Sequence, residues 1–93
     1  MLFVMHCLDK PGMMEKRMQV MQAHRDYLDN SDVNVVMSGP LVADDDEGKI
    51  IGSLYVLEAE NRAALEAIQR DDPLVQADIW DSVNVQAFIK RVG

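Results

Sequence analysis

Residues 1–8 have the sequence MLFVMHCL, and this stretch decides the fold together with residues 50–58, IIGSLYVLE. The first stretch is apolar almost throughout, and the second is mostly apolar at both its odd and its even positions. Because successive side chains of a strand point to opposite faces of a sheet, strands of this composition need a cover on both faces. Both stretches are therefore predicted to be inner strands of a sheet that lies between two layers.

The remaining segments show either helical or strand periodicity. In the first helical segment Met14, Met18, Met21, Arg25 and Leu28 recur at spacings of three and four residues. Together the patterns predict helices over residues 13–30, 61–70 and 73–78, and further strands over residues 33–42 and 80–89. Apart from the short third helix, the order is strand, helix, strand, strand, helix, strand. This order predicts an α+β fold, a ferredoxin-like βαββαβ unit with an antiparallel sheet.

The faces of the outer strands follow from the same alternation. In the segment 33–42, four apolar side chains are predicted to share one face, namely Val33, Val35, Met37 and Leu41. The acidic tip at residues 44–48 is predicted to be a hairpin-like connection to the next strand. It is interpreted as a solvated loop, with a calcium site as the alternative, although the alternating ligands of an EF-hand are absent.

One face of the predicted sheet has no helix to cover it. The chain of 93 residues is expected to form a single domain over residues 1–93, near the lower size limit for an independent core. Its two main helices can cover one face, yet both inner strands are apolar on the second face as well. A sheet from a second copy is the simplest cover, so a homodimer is predicted.

Charge and cysteine content exclude several classes of protein. A net charge of −7 repels the phosphate backbone, so nucleic acid is not an expected partner. The one cysteine, Cys7, cannot form an intramolecular disulfide, which is typical of a reducing cytoplasm. No apolar run approaches the roughly 20 residues of a membrane-spanning helix, and no signal peptide is recognised, so a cytoplasmic protein is expected.

His24 is the first candidate for chemistry. Arg17, Met21, His24 and Leu28 lie on one stripe of the first helix, so His24 faces the rest of the domain beside apolar neighbours. Such a histidine is either a core group with satisfied hydrogen bonds or a general base. Partial burial at a solvated cleft would keep such a base neutral at pH 7.

Asp72 and two serines are the other candidates. Asp72 precedes Pro73 and suits the N-cap of a short helix, but a carboxylate beside a histidine would also orient the ring. Ser38 and Ser53 lie on strands near the proposed cleft and could donate hydrogen bonds. A Ser-His-Asp hydrolase stays possible from the residue types, although the sequence G-x-S-x-G is absent.

No metal or organic cofactor is expected. His6 and His24 are the only histidines and lack the paired spacing of metal ligands. No glycine-rich phosphate loop or dinucleotide fingerprint is present. A haem-handling relative remains an alternative, since either histidine could ligate iron, but nothing else indicates a haem pocket.

Several short motifs together resemble the YciI-like family over nearly the whole chain. They are MLFVMHCLDKPG at the start, Lys16-Arg17 with His24 seven residues after Arg17, Ser38-Gly39-Pro40, Gly52-Ser53, Asp71-Asp72-Pro73, and residues 83–88. None is specific alone, but their order and spacing are. The resemblance implies a dimeric α+β barrel made of ferredoxin-like subunits.

The resemblance also implies roles for particular residues. His24 and Asp72 match a proposed His-Asp dyad in a cleft beside the dimer interface. Arg17 matches a basic residue before the histidine, and Ser53 matches the serine of a Gly-Ser pair on the third strand. Arg17, Ser53 and Ser38 are therefore expected to contact a small-molecule substrate.

Two functions are compatible with these residues. One branch of the family eliminates chloride from chlorinated hydroxyquinol-type compounds without metal or organic cofactor. The expected function is accordingly a cofactor-independent lyase or hydrolase-type enzyme, dehydrochlorination included, acting on a small polar or aromatic metabolite. The alternative is a non-catalytic dimeric module that binds a metabolite or serves as an accessory subunit.

Overall fold

The computed structural model describes all 93 residues and has the predicted order of elements. The strands are β1 (Leu2–Asp9), β2 (Asn34–Ala43), β3 (Asp46–Glu58) and β4 (Trp80–Phe88), and the helices are α1 (Met14–Asp29), α2 (Arg62–Arg70) and α3 (Pro73–Gln76). The hairpin between β2 and β3 is tighter than predicted. β3 begins at Asp46, which pairs with Ala43 of β2 and accepts a hydrogen bond from the Gly48 amide, so Asp44 and Asp45 form the turn.

The four strands form one antiparallel sheet in the order β2-β3-β1-β4. The two stretches with apolar residues on both faces are the inner strands β1 and β3, as predicted. In register, Met5 of β1 lies between Tyr55 of β3 and Val85 of β4. This is the topology of a ferredoxin-like subunit, so the α+β prediction is confirmed for the single chain.

The core lies between the helices and one face of the sheet. Its buried members from the inner strands are Phe3, Met5, Cys7, Tyr55 and Leu57. From α2, α3 and the segment after α3 they meet Leu65, Leu74 and Ile79, each fully buried. Odd-numbered residues of β1, and of β3 from Ser53 onward, therefore face the helices, and the even-numbered residues of these stretches face the other side, which we call the open face.

The prediction for the faces of β2 was wrong in part. A register shift between Val35 and Met37 inserts Val36 as an extra residue opposite β3. A bulge of this kind reverses the alternation beyond it. Val35 therefore packs against the core, whereas Met37, with 59% of its surface exposed, lies on the open face.

The side of α1 that is buried does not follow the spacing of Met14, Met18 and Met21 noted in the sequence. Arg17 and His24 are its buried residues, and Met21 and Leu28 flank them. The contacts of Arg17 and His24 turn their side of α1 toward the sheet. Met18 lies on a different side of the helix and is 60% exposed. None of the three helices is both long and apolar enough to span a bilayer.

Gly52 gives the first testable consequence of this packing. A Cβ atom at Gly52 would lie 2.0 Å from the carbonyl oxygen of Cys7, which is main chain and has no freedom to rotate away. Gly52→Ala must therefore push β3 away from β1, and we expect a loss of roughly 3 kcal/mol or more in the free energy of unfolding. Urea denaturation followed by circular dichroism measures it.

Gly39→Ala is the matched control, since nothing lies within 4 Å of a Cβ atom at Gly39 on the edge strand β2. Its midpoint should stay near that of the parent. Equal stability of the two variants would contradict the close approach of β1 and β3.

Candidate active site

His24 lies in the third turn of α1 and is bonded through both ring nitrogens. Its Nδ1 lies 2.7 Å from Oδ1 of Asp72, and its Nε2 lies 2.9 Å from the hydroxyl of Tyr55. The imidazole is only 3% exposed. The ring is enclosed by side chains from β3 and the start of α3, so it has the satisfied hydrogen bonds of a core group and is more deeply buried than the solvated cleft expected for a base.

Asp72 has both of the roles that the sequence left open. As the N-cap of α3 its Oδ1 accepts the amide hydrogen of Leu74 at 2.9 Å, and the same oxygen faces His24. An ionised carboxylate can only accept hydrogen bonds. With the imidazole neutral, this contact places its proton on Nδ1, and the electron pair on Nε2 then accepts the Tyr55 hydroxyl hydrogen.

Tyr55 is an element of the site that the sequence analysis missed. Burial raises the pKa of its hydroxyl, the neighbouring Asp72 and Cys7 raise it further, and the hydroxyl of Ser53 and the charge of Arg17 lower it. The phenol is thus neutral at physiological pH. Its ring packs edge-on against His24 and against Trp80, with centroids 5.6 Å and 6.3 Å away, which fixes its direction.

Arg17 forms a second polar cluster next to the first. Its Nε and Nη2 donate to the two carboxylate oxygens of Asp9 at 2.7 and 2.8 Å, and Nη2 also donates to Oγ of Ser53 at 2.6 Å. Only the sulfur of Met21, at 3.7 Å, accepts from Nη1. Since sulfur is a weak acceptor, Nη1 keeps donor capacity for another group.

A cavity of about 520 Å³ connects these two clusters. It is lined by both predicted serines together with Arg17, His24 and Tyr55, and by apolar side chains that include Met18, Met21, Leu28, Val35, Pro40 and Ile50. Arg25 and Asp29 of α1 also line it. A mostly apolar cleft with a few convergent polar groups is typical of sites for small organic molecules.

Of the five candidates from the sequence, four line this cavity and the fifth supports it. His24, Arg17 and Ser53 are buried there, and Ser38 is exposed on β2. Asp72 is not part of the lining and lies on the Nδ1 side of His24. The candidates therefore meet in space although His24 and Asp72 are 48 residues apart in sequence.

The two residues that the sequence analysis missed had a common signal. Tyr55 follows Ser53 by two residues in β3, and Asp9 follows Cys7 by two residues in β1, so each shares a face with a recognised residue. In the sequence Tyr55 has the pattern of a core aromatic residue, and Asp9 stands next to the Lys10-Pro11-Gly12 turn. Alternation alone would have directed both side chains toward α1.

Cys7 and His6 do not join this site chemically. Burial raises the pKa of the Cys7 thiol to about 12, against the lowering effect of Arg17, so the thiol stays protonated and is a poor nucleophile. His6 is exposed at an even position of β1 and therefore lies on the open face, away from His24. No group of three or more His, Cys, Asp or Glu side chains is arranged to hold a metal ion.

The contact between Arg17 and Asp9 leads to a prediction about stability. Their side chains are 2% and 7% exposed, so removing one leaves a buried charge without its partner. Arg17→Met should lower the free energy of unfolding by about 3–5 kcal/mol. Lys10→Met, which breaks the surface ion pair with Asp78, should leave the urea midpoint almost unchanged. Similar losses in both variants would contradict a buried pair.

Sequence comparisons relate this chain to a known family. A family model described as "YCII-related domain" matches residues 1–89. "Protein YciI" of Escherichia coli is 34% identical over 97% of this chain and 98% of its own length. A protein of Haemophilus influenzae described as uncharacterized is 30% identical over the same shares.

Among solved structures, 5-chloro-2-hydroxyhydroquinone dehydrochlorinase from Burkholderia phenoliruptrix superimposes with a TM-score of 0.85. That structure is a complex with 2,5-dihydroxybenzoquinone, and the match covers 96% of this chain and 94% of that one at 25% identity. A conserved protein from Methanosarcina mazei, 11% identical with a TM-score of 0.59 over 97% and 92% of the two chains, shares the fold. The family model and the near full-length relatives confirm the resemblance seen in the sequence: this chain belongs to the YCII-related domain family.

Proposed function

We propose that this chain is a cofactor-independent lyase that acts on small hydroxylated aromatic molecules. It removes a proton and a leaving group, and the leaving group that we propose is chloride. One observation carries the proposal. A buried Asp72–His24–Tyr55 chain of hydrogen bonds reaches a mostly apolar cavity in a fold that superimposes closely on a dehydrochlorinase.

The cavity suits an aromatic ring with hydroxyl groups. Its volume of about 520 Å³ lies in the range of small-molecule sites. Leu28, Val35 and Pro40 offer apolar contacts to a ring, and Ser53 and the free donor on Nη1 of Arg17 offer hydrogen bonds to ring oxygens. This combination of apolar contacts and hydrogen-bonding groups supports a small hydroxylated aromatic molecule as the substrate.

The elimination needs only a proton acceptor and a stabilised leaving group. One ring hydroxyl loses its proton and its electron pair forms a C=O bond, while the ring carbon that bears chlorine takes up a proton. A second ring hydroxyl then loses its proton, its electron pair forms the second C=O bond, and the C–Cl bond breaks with its electron pair on chloride. Two protons leave oxygen and one is bonded to carbon, so the products are a hydroxyquinone, one proton and one chloride ion. No external oxidant or reductant takes part. His24 accepts the proton, and the Asp72 carboxylate stabilises the imidazolium that forms. Arg17 offers N–H groups for the negative charge that develops on oxygen.

The hydrogen bonds of His24 are also compatible with a second candidate function, that of a non-catalytic module. Both nitrogens of His24 are already bonded within the protein, which is also what a purely structural histidine requires. On this alternative the chain is a non-catalytic dimeric module that binds a metabolite or assists another protein. Binding of 2,5-dihydroxybenzoquinone without any turnover of the chlorinated compound would support it.

The enzyme proposal predicts the behaviour of Asp72→Asn. Asn caps a helix about as well as Asp, so α3 and the fold should persist. The negative charge that stabilises the imidazolium is lost, and we expect kcat for chloride release from 5-chloro-2-hydroxyhydroquinone to fall at least about 100-fold. An ion-selective electrode measures chloride directly.

Asp71→Asn is the matched control, because Asp71 is the exposed neighbour at the C-cap of α2 and is not in the cavity. It should keep the activity of the parent. The proposal is wrong if Asp72→Asn is as active as Asp71→Asn, or if the parent releases no chloride from the chlorinated compound.

We also propose that two copies pair through the open face into a dimeric α+β barrel. The paired positions of this face carry Leu2, Val4, His6, Leu8, Met37, Gly39, Leu41, Gly52, Leu54, Val56, Ser82, Asn84, Gln86 and Phe88. Glu58 and Asn34 lie at one end of the face, and the centre lacks acidic and basic side chains other than His6 in a chain of net charge −7. A face whose centre is mostly apolar and carries no carboxylate can meet its own copy without repulsion, and a second copy also fits the short chain length.

Val4→Asp tests the pairing. It places a carboxylate in the middle of β1 on the open face, where desolvation in an interface would be costly. We expect the parent to be a dimer in light scattering at low micromolar concentration, and this variant to be a folded monomer. Val75→Asp is the control, since Val75 is a 37% exposed valine on α3, in the helical layer. A monomeric parent would refute the dimer.

A further inference from the structure

We propose that Tyr55 is the residue that exchanges a proton with the ligand, and that His24 and Asp72 act through it as a relay. The inference rests on the proposed function in taking the cavity as the substrate site. It differs from direct catalysis by histidine, because the group that touches the ligand is the phenol oxygen.

The first argument is the occupancy of the imidazole nitrogens. Nδ1 of His24 is held by Asp72 at 2.7 Å, and Nε2 by the Tyr55 hydroxyl at 2.9 Å. The histidine lines the cavity, but neither nitrogen is free to take a proton from a molecule there. A ligand that replaced the hydroxyl of Tyr55 at Nε2 would have to displace a ring that is only 5% exposed and packed on two sides.

The second argument is the position of the Tyr55 oxygen. Tyr55 lines the cavity next to Ser53, and the Ser53 hydroxyl is held by Nη2 of Arg17 at 2.6 Å. The phenol oxygen uses its hydrogen toward His24 and one electron pair toward the Ser53 hydroxyl, which leaves its second electron pair as an acceptor for another group. A ligand hydroxyl in the cavity can therefore donate to Tyr55 and receive hydrogen bonds from the Arg17 side.

The proton transfer balances without a free phenolate. The O–H bond of the ligand breaks and its proton bonds to the Tyr55 oxygen. At the same time the O–H bond of Tyr55 breaks, and that proton bonds to Nε2 of His24, giving an imidazolium next to the Asp72 carboxylate. Tyr55 is neutral before and after, as its burial requires, and no electrons leave the ligand.

A coloured phenol tests the relay without any turnover. The probe is 4-nitrophenol, whose ionised form absorbs visible light and whose neutral form does not, at a pH below the pKa of the free phenol. The parent should bind it as the phenolate. Tyr55→Phe, which removes only the hydroxyl, should reduce the phenolate band of the bound probe at least tenfold, and His24→Gln should do the same because the final acceptor is gone.

Tyr27→Phe is the matched control, since Tyr27 is the only other tyrosine and its hydroxyl donates to the Ile68 carbonyl outside the cavity. It should keep the full phenolate band. Circular dichroism and melting curves establish that each variant is folded. The relay is refuted if Tyr55→Phe keeps the phenolate band of the bound probe, whatever the result for His24→Gln, or if the parent shows no phenolate band at all.

Turnover separates this inference from the proposed reaction. With 5-chloro-2-hydroxyhydroquinone, Tyr55→Phe, His24→Gln and the double variant should lose kcat by a similar factor, because residues that act as one unit are not additive. KM should change little. A parent that ionises the phenol but releases no chloride would refute the dehydrochlorination and leave the relay intact. Near-parental kcat in Tyr55→Phe would refute the relay and leave the reaction intact.

Discussion

Helix α1 is held against the sheet by polar contacts, and the cavity beside it follows from that constraint. Its buried side chains are a guanidinium and an imidazole, Arg17 and His24. Burying either group without partners would cost several kcal/mol, so the rest of the fold must present acceptors and donors at fixed positions. β1 and β3 supply them for Arg17, while β3 and the start of α3 supply them for His24. All of the partners lie on regular elements or a helix cap, which keeps the polar groups at the cavity in one geometry.

The sequence predicts most of the fold because the informative signals are local. Apolar residues at both odd and even positions identified β1 and β3 as inner strands, and Asn61 and Asp72 cap the helices that follow them. The faces of β2 were not predictable beyond Val35, since a bulge depends on how a strand pairs and leaves no pattern in its own residues. The methionines of α1 were misleading for a similar reason. Met18 has the spacing of a core residue, but the polar partners opposite Arg17 and His24 decide which side is buried.

The sequence and the family resemblance predicted individual residues of the site but not the contacts between them. Periodicity placed His24 toward the domain, and the Asp-Pro step identified Asp72 as a cap, but their meeting depends on how α3 packs against α1. Tyr55 looked like a core aromatic residue, which it also is. Its second role appears only when the distance between its oxygen and His24 is known. The role of a buried polar atom depends on its hydrogen-bond partner. When the partner belongs to another helix or strand, the local sequence does not predict the contact.

Strand β3 contributes residues both to the cavity and to the open face through which we propose that two copies pair. Ser53 and Tyr55 face the cavity, and between them Leu54 faces the side on which we propose that a second copy packs. Side chains on opposite faces do not touch, so the two sites communicate only through the position of the backbone. That position is already restricted by Gly52, whose Cα approaches the main chain of Cys7. A cover over Leu54 would restrict it from the other side. Because a hydrogen bond weakens steeply when its geometry is lost, a strand fixed in this way keeps the Tyr55 oxygen within reach of His24. Apolar residues of the open face and polar residues of the cavity thus alternate along one strand, and pairing of the open face would help to fix the geometry of the cavity.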